Sequence, residues 1–217
     1  MINRILEEKD ATSQDFLLEN YKGLVFECEG TLVNSVDYFF KGWKALCQKY
    51  ELTFTKQRFY SLSGMSVRRI METILNDNAR PFDKALIDYL VTQKLQIQVN
   101  LREQGDFPTE ITCVTKIVKQ LHGKIPMAIV GCGNIMYVLE DLHNHRLTKY
   151  FDAIVTHEDV QYEKPAPDLF LEACSRIQTE PTLCLCYFGL YSDIILKSLQ
   201  AAEMDVVDVS TFVNYPN

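Results

Sequence analysis

The stretch Leu24-Val25-Phe26-Glu27-Cys28-Glu29-Gly30-Thr31-Leu32-Val33-Asn34-Ser35 decides how the rest of the chain is read. A short apolar run, Leu24 to Phe26, closes on two acids and a glycine. That is the pattern of a buried strand running into a turn. Directly after it, Val36, Phe39, Phe40, Trp43, Leu46, Cys47 and Tyr50 recur at helical spacing, with Asn34 or Ser35 available as cap.

Outward from this unit, helical patterning continues over roughly Val67 to Leu75 and Phe82 to Leu101, and no strand pattern stands out between residues 36 and 106. Then the rhythm changes. Thr109 is expected to cap a helix reaching about His122. Pro126 to Val130 reads as a strand ending in Gly131-Cys132-Gly133-Asn134, and Ile135 to His145 as a helix. A strand at Ala153 to Thr156 follows, then a helix from about Pro167 to Ile177 and a strand at Leu183 to Phe188. A helix from Asp193 to Ala202 and a strand from Asp205 to Val209 complete the pattern.

Short apolar strands alternating with helices imply a parallel sheet covered on both faces. The expected fold is therefore α/β, a Rossmann-like doubly wound parallel-sheet core with an inserted α-helical block. The expected division is residues 1–17 as an N-terminal extension, 18–34 and 107–217 as core, and 35–106 as the helical insert. In such folds ligands sit beyond the carboxyl ends of the strands. Those ends are Glu27 to Thr31, Gly131 to Asn134, Thr156 to Lys164, and Phe188 to Asp193.

The chain has 217 residues and a net charge of −7. The length suits one domain with an insert and buries roughly 70 % of the unfolded surface. The charge argues against nucleic acid or an anionic membrane as partner. No apolar run approaches the ~20 residues needed to span a bilayer. The seven cysteines are irregularly spaced, with no pair at metal-ligand spacing, and read as reduced thiols of a cytoplasmic protein.

The opening stretch resembles the first motif of the haloacid dehalogenase-like (HAD) phosphatases, a strand followed by D-x-D-G-T-L-(V/I)-D-S. Glu163-Lys164-Pro165-Ala166-Pro167-Asp168-Leu169-Phe170 resembles the family's K-P-x-P-x-x-F loop, which carries its third-motif lysine. Tyr150 to Val155 resembles the Y-F-D-x-(I/V) run ahead of it, and Ala201 to Met204 the A-A-G-M run near the carboxyl end. The helical insert sits where the β-phosphoglucomutase and fructose-1-phosphate phosphatase branch places its cap.

The resemblance implies a phosphoryl-transfer enzyme acting on a small phosphorylated metabolite with Mg²⁺. In the family, one Asp attacks phosphorus, a second Asp two residues on is the acid/base, a Ser or Thr holds the phosphoryl group, a Lys neutralises charge and further acids hold Mg²⁺. Catalysis of this kind is mainly positioning and charge neutralisation. Carried over by position, the catalytic set is Glu27, Glu29 and Lys164. The phosphate set is Gly131, Cys132, Lys164 and, from the helical segment that approaches the substrate in that branch, Arg69; the metal set is Glu27, Glu29 and Asp193, the last being the nearest carboxylate, several residues past the expected fourth-motif place.

Only Lys164 among the family's five functional positions carries the family's residue type. Glutamates replace both aspartates, Gly131 has no hydroxyl, and neither Phe188-Gly189 nor Leu190-Tyr191 supplies the fourth-motif acid. A glutamate carboxylate stands about 1 Å farther out, a misplacement that can cost about 10²-fold, so two could cost roughly 10⁴-fold. Weak or absent Mg²⁺ binding and phosphatase activity are therefore expected.

Two alternatives stand beside that expectation. One is an active phosphohydrolase using Glu27 as nucleophile. The other is a non-catalytic module that binds an anion or metabolite, or a protein partner. Cys132 has no histidine near it in sequence, and His157 is the one histidine placed near a strand end. The stripe Phe39, Phe40, Trp43 reads as cap core.

Overall fold

The computed structural model describes residues 4–62, 64–189 and 193–211. In chain order it contains α1 (Glu8–Ala11), α2 (Gln14–Asn20), β1 (Gly23–Glu27), β2 (Val33–Asn34), α3 (Val36–Lys49), α4 (Lys56–Ser61), α5 (Val67–Asp77) and α6 (Lys84–Glu103). There follow β3 (Thr109–Glu110), α7 (Thr112–Leu121), β4 (Met127–Gly131), α8 (Ile135–Asn144), β5 (Ala153–Thr156), α9 (Asp168–Arg176), β6 (Cys184–Phe188), α10 (Asp193–Ala201) and β7 (Asp205–Asp208).

Five strands form one parallel sheet in the order β5-β4-β1-β6-β7. β1 is central, and every residue of β1, β4 and β6 is buried, which is why these strands are continuously apolar. The two faces carry separate cores. Leu24, Phe26, Met127 and Ile129 pack with Leu17, Val114, Val118 and Leu142 from α2, α7 and α8. Val25, Ala128, Val130 and Cys186 pack with Phe170, Cys174, Ile195 and Leu199 from α9 and α10. This is the doubly wound α/β arrangement expected from the sequence.

Helices α3 to α6 form their own core around Trp43, Leu46, Phe59, Met71, Ile74 and Leu90. The chain leaves the sheet through β2 and returns through β3, and these two short strands pair antiparallel (Val33↔Glu110, Asn34↔Thr109). Here the structure corrects an expectation. Thr109 does not cap a helix: its backbone is held by Asn34 across the two crossing strands, and α7 begins three residues later, after Ile111.

Residues 4–17 are docked on the core. Leu6 N donates to Val206 O (2.9 Å) and Val206 N to Arg4 O (2.8 Å), so this segment covers the outer edge of β7. Tyr187 Oη donates to Ala11 O (2.6 Å), and Leu6, Ala11 and Leu17 are buried. Among the described residues, no helix is long and apolar enough to cross a membrane. All seven cysteines are free.

Candidate functional site

The carboxyl ends of β1 and β4 face the loop before α9, and the first residues of the helical insert close over them. Glu27, the last residue of β1, forms an ion pair with Lys164. Both side chains are buried, at 5 % and 2 % exposure. Burial pushes the Glu27 carboxyl up, with Lys164 pulling against it. Burial alone would lower the Lys164 ammonium, but Cys132 and Glu27 beside it hold it above the usual lysine range. The Lys164 Nζ also lies 4.9 Å from the Phe170 ring centre.

Glu29 lies two residues on, past the end of β1, in the turn where Gly30 takes the left-handed backbone that glycine adopts without strain (φ 76°). Its carboxylate crosses to the turn between β4 and α8. Gly133 N donates to Glu29 Oε1 (2.9 Å) and Cys132 N to Glu29 Oε2 (3.3 Å). These amides precede the N-cap residue Asn134, whose side chain accepts from Met136 N. Backbone N–H groups at a helix start form an anion slot. In this chain the slot is filled by the chain's own carboxylate. The packing is close: a methyl group at Gly133 would stand 2.8 Å from Glu29 Oε1, and one at Gly131 2.8 Å from Val138.

The remaining expected site residues are placed as follows. Cys132 sits between the two acids and Lys164, and burial pushes its thiol up to about 12, against Lys164, so it is no nucleophile near neutral pH. Arg69 reaches the core, but its Nη1 donates to the Lys164 carbonyl (3.3 Å). Arg68 is paired with Asp88 within the cap. Asp193 opens α10, is exposed, and is joined to neither Glu27 nor Glu29 by a hydrogen bond or ion pair. Leu190-Tyr191 lies outside the described residues. Among the described residues, no three His, Cys, Asp or Glu side chains converge in a way that could hold a metal ion. His157, expected near a strand end, is brought to the β4 turn, where its Nδ1 donates to Gly133 O (3.2 Å).

Two cationic residues in α6 were not singled out in the sequence. Arg102, 7 % exposed, reaches α8 of the core, with Nη1 2.7 Å from Glu140 and Nη2 2.9 Å from Asp141. Burial pushes the Asp141 carboxyl up to about 6, against Arg102. Lys94, 2 % exposed, lines a cavity of about 90 Å³ between cap and core, and burial pulls its ammonium down to about 7. The signal was available: the buried positions of α6 are Ile87, Leu90, Lys94, Gln98 and Arg102, so the apolar stripe that starts the helix continues in polar residues.

A family model described as haloacid dehalogenase-like hydrolase matches residues 24–189. The chain belongs to that family. The fructose-1-phosphate phosphatase YqaB of Escherichia coli (strain K12) is 31 % identical over 194 residues, 89 % of this chain and 98 % of that protein. The beta-phosphoglucomutase of Bacillus subtilis (strain 168) is 24 % identical over 199 residues, 87 % of this chain and 83 % of that protein. Among solved structures, a beta-phosphoglucomutase from Clostridium difficile matches with a TM-score of 0.74 at 18 % identity, over 87 % of this chain and 84 % of that one. A hydrolase from Pseudomonas syringae matches at 0.76 and 21 % identity, over 89 % and 87 %. The two named relatives are a sugar-phosphate phosphatase and a phosphomutase, and the solved structures share the chain's fold.

Proposed function

We propose that this haloacid dehalogenase-like chain holds a small ligand between cap and core while its Mg²⁺-dependent phosphatase turnover is weak or absent. The observation that carries this reading is the position of Glu29. The two amides at the β4 turn, an anion slot at the start of α8 beside the Gly131 position, already bind that carboxylate. The lysine that would neutralise the phosphoryl charge is already paired with Glu27 in a buried contact. A phosphorylated sugar, the substrate class in the relatives' names, would have to evict one carboxylate and compete with the other.

The residues present do not fit Mg²⁺. That ion takes near-octahedral oxygen ligands and is usually held by one or two protein carboxylates besides phosphate. Glu27 is committed to Lys164, Glu29 to two amides, and Asp193 stands apart on the surface. The same commitments work against Glu27 as nucleophile, because attack would require separating a buried ion pair.

Calorimetric titration with Mg²⁺, with and without phosphate, tests the reading. The expected result is no binding heat for the unaltered protein. Mg²⁺ binding with a sub-millimolar Kd overturns the reading. A Glu27→Asp, Glu29→Asp double variant run in parallel shows whether shortening the two carboxylates restores a site.

A further inference from the structure

The cap–core cavity contains two polar groups that nothing in the phosphoryl-transfer scheme uses. Its walls are mainly apolar and include Phe39, Trp43, Phe59 and Ile70. Into it come Lys94 and Ser35. Lys94 is 2 % exposed, and its ammonium lies 5.1 Å from the Phe39 ring centre and 5.3 Å from that of Trp43. No ion pair or hydrogen bond joins it to another described residue. Ser35 occupies the N-cap position of α3, but its side chain makes no capping hydrogen bond, and its buried Oγ has no partner among the described residues.

A buried ammonium without a counter-charge is costly, and so is a buried hydroxyl without a partner. Aromatic faces offset part of the first cost and none of the second. Arg102 adds to the positive field at Lys94 and is itself spent on Glu140 and Asp141. Both groups line the same cavity, and an acceptor-bearing anion is what each of them lacks. Glu29 limits its charge, because that carboxylate lines the same cavity. A dianionic phosphate beside Glu29 meets stronger repulsion than a single carboxylate does. Size limits it as well: a void of roughly 150 Å³ takes a benzene-sized body, and this one is about 90 Å³.

We propose that this cavity binds a small monocarboxylate with a compact apolar body, its carboxylate on Lys94 and Ser35 and its body among Phe39, Trp43 and Phe59. This rests on the reading that the cleft retains ligand binding without phosphoryl transfer, and it names the ligand class.

Trp43 is the only tryptophan in the chain, so its fluorescence reports on this cavity alone. The test is titration with acetate, with acetamide as its neutral counterpart of the same size and inorganic phosphate as the competing anion. The expected result is a saturable change with acetate, and binding at least about tenfold weaker for the amide, as loss of one charge-assisted contact implies. Lys94→Met should abolish the preference for carboxylate over amide. That variant removes an unpaired buried charge and should fold; Ser35→Ala, smaller still, should weaken acetate with less effect on the amide. No saturable change with acetate overturns the proposal, as does equal binding of acid and amide, or tighter binding of phosphate. These failures are separable from failure of the parent reading, which is decided by Mg²⁺ binding and phosphate release.

Discussion

Removing one partner of the Glu27–Lys164 pair gives the sharpest stability prediction. The perturbation is Lys164→Met. Both side chains are almost fully enclosed, at 5 % and 2 % exposure, so solvent does not screen what is left behind. Glu27 would remain as a buried carboxylate, forced either to stay charged without a partner or to take up a proton. Breaking such a pair costs about 3–5 kcal/mol, whereas replacing both partners with apolar residues of similar volume is often neutral or stabilising. For a chain of this length each kcal/mol moves Tm by about 2–4 °C, so Lys164→Met should lower Tm by roughly 6–20 °C. The Glu27→Leu, Lys164→Met double variant should recover most of that loss. Thermal and guanidinium unfolding followed by circular dichroism would measure both. A single variant that loses less than about 1 kcal/mol, or a double variant no better than the single, would refute the buried-pair reasoning.

Further expectations follow from the same site. Glu29→Ala should free the Cys132 and Gly133 amides, cost about 1–3 kcal/mol, and let calorimetry detect inorganic phosphate binding that the parent lacks. Gly133→Ala should displace the same carboxylate, because the new methyl would stand 2.8 Å from Glu29 Oε1. Its effect should therefore be strongly non-additive with Glu29→Ala in a double-mutant cycle. Lys94 has its pKa lowered by burial to about 7 from 10.5. The unfolded chain thus binds more protons between those values, and the penalty is full below about pH 7 and fades as pH rises toward 10.5. Lys94→Met should accordingly be more stable than the parent at pH 6, with the advantage vanishing above about pH 10, as paired denaturation curves would show. Arg102→Leu should leave Asp141 buried and unpaired, lowering stability by about 3 kcal/mol or more near pH 7 and less at pH 5, where Asp141 can take up a proton.

The sheet was legible because buried parallel strands are continuous apolar runs bounded by turns, so β1, β4, β5, β6 and β7 could be read within a residue or two of their ends. Three features were hidden for separate reasons. Leu6, Ala11 and Leu17 are apolar residues scattered among charges, and their partners, the edge of β7, Tyr187 and the helices of one sheet face, lie far along the chain. Helix α4 has six residues behind a Thr55 cap, too few to establish a period. Thr109 has the chemistry of a helix cap, and its pairing with Asn34 overrides it.

Within the site, the residue substitutions at Glu27, Glu29 and Gly131 were visible from the motif, but their consequence was not. That Glu29 would close the anion slot depends on a contact between residues more than a hundred positions apart. Lys94 and Arg102 escaped notice because lysine and arginine on a helix are ordinarily solvated. Their burial follows from the stripe begun by Ile87 and Leu90.

Phosphate release from fructose 1-phosphate in the presence of Mg²⁺ tests the central claim most directly. An ordinary enzyme of this kind turns over at about 10 s⁻¹. With the amide slot filled by Glu29 and both acids displaced by a methylene, turnover should be lower by roughly 10⁴-fold, about 10⁻³ s⁻¹ or less. A kcat near 10 s⁻¹ would contradict it, because the Glu29 and Lys164 contacts would then have to open at no appreciable cost in every catalytic cycle.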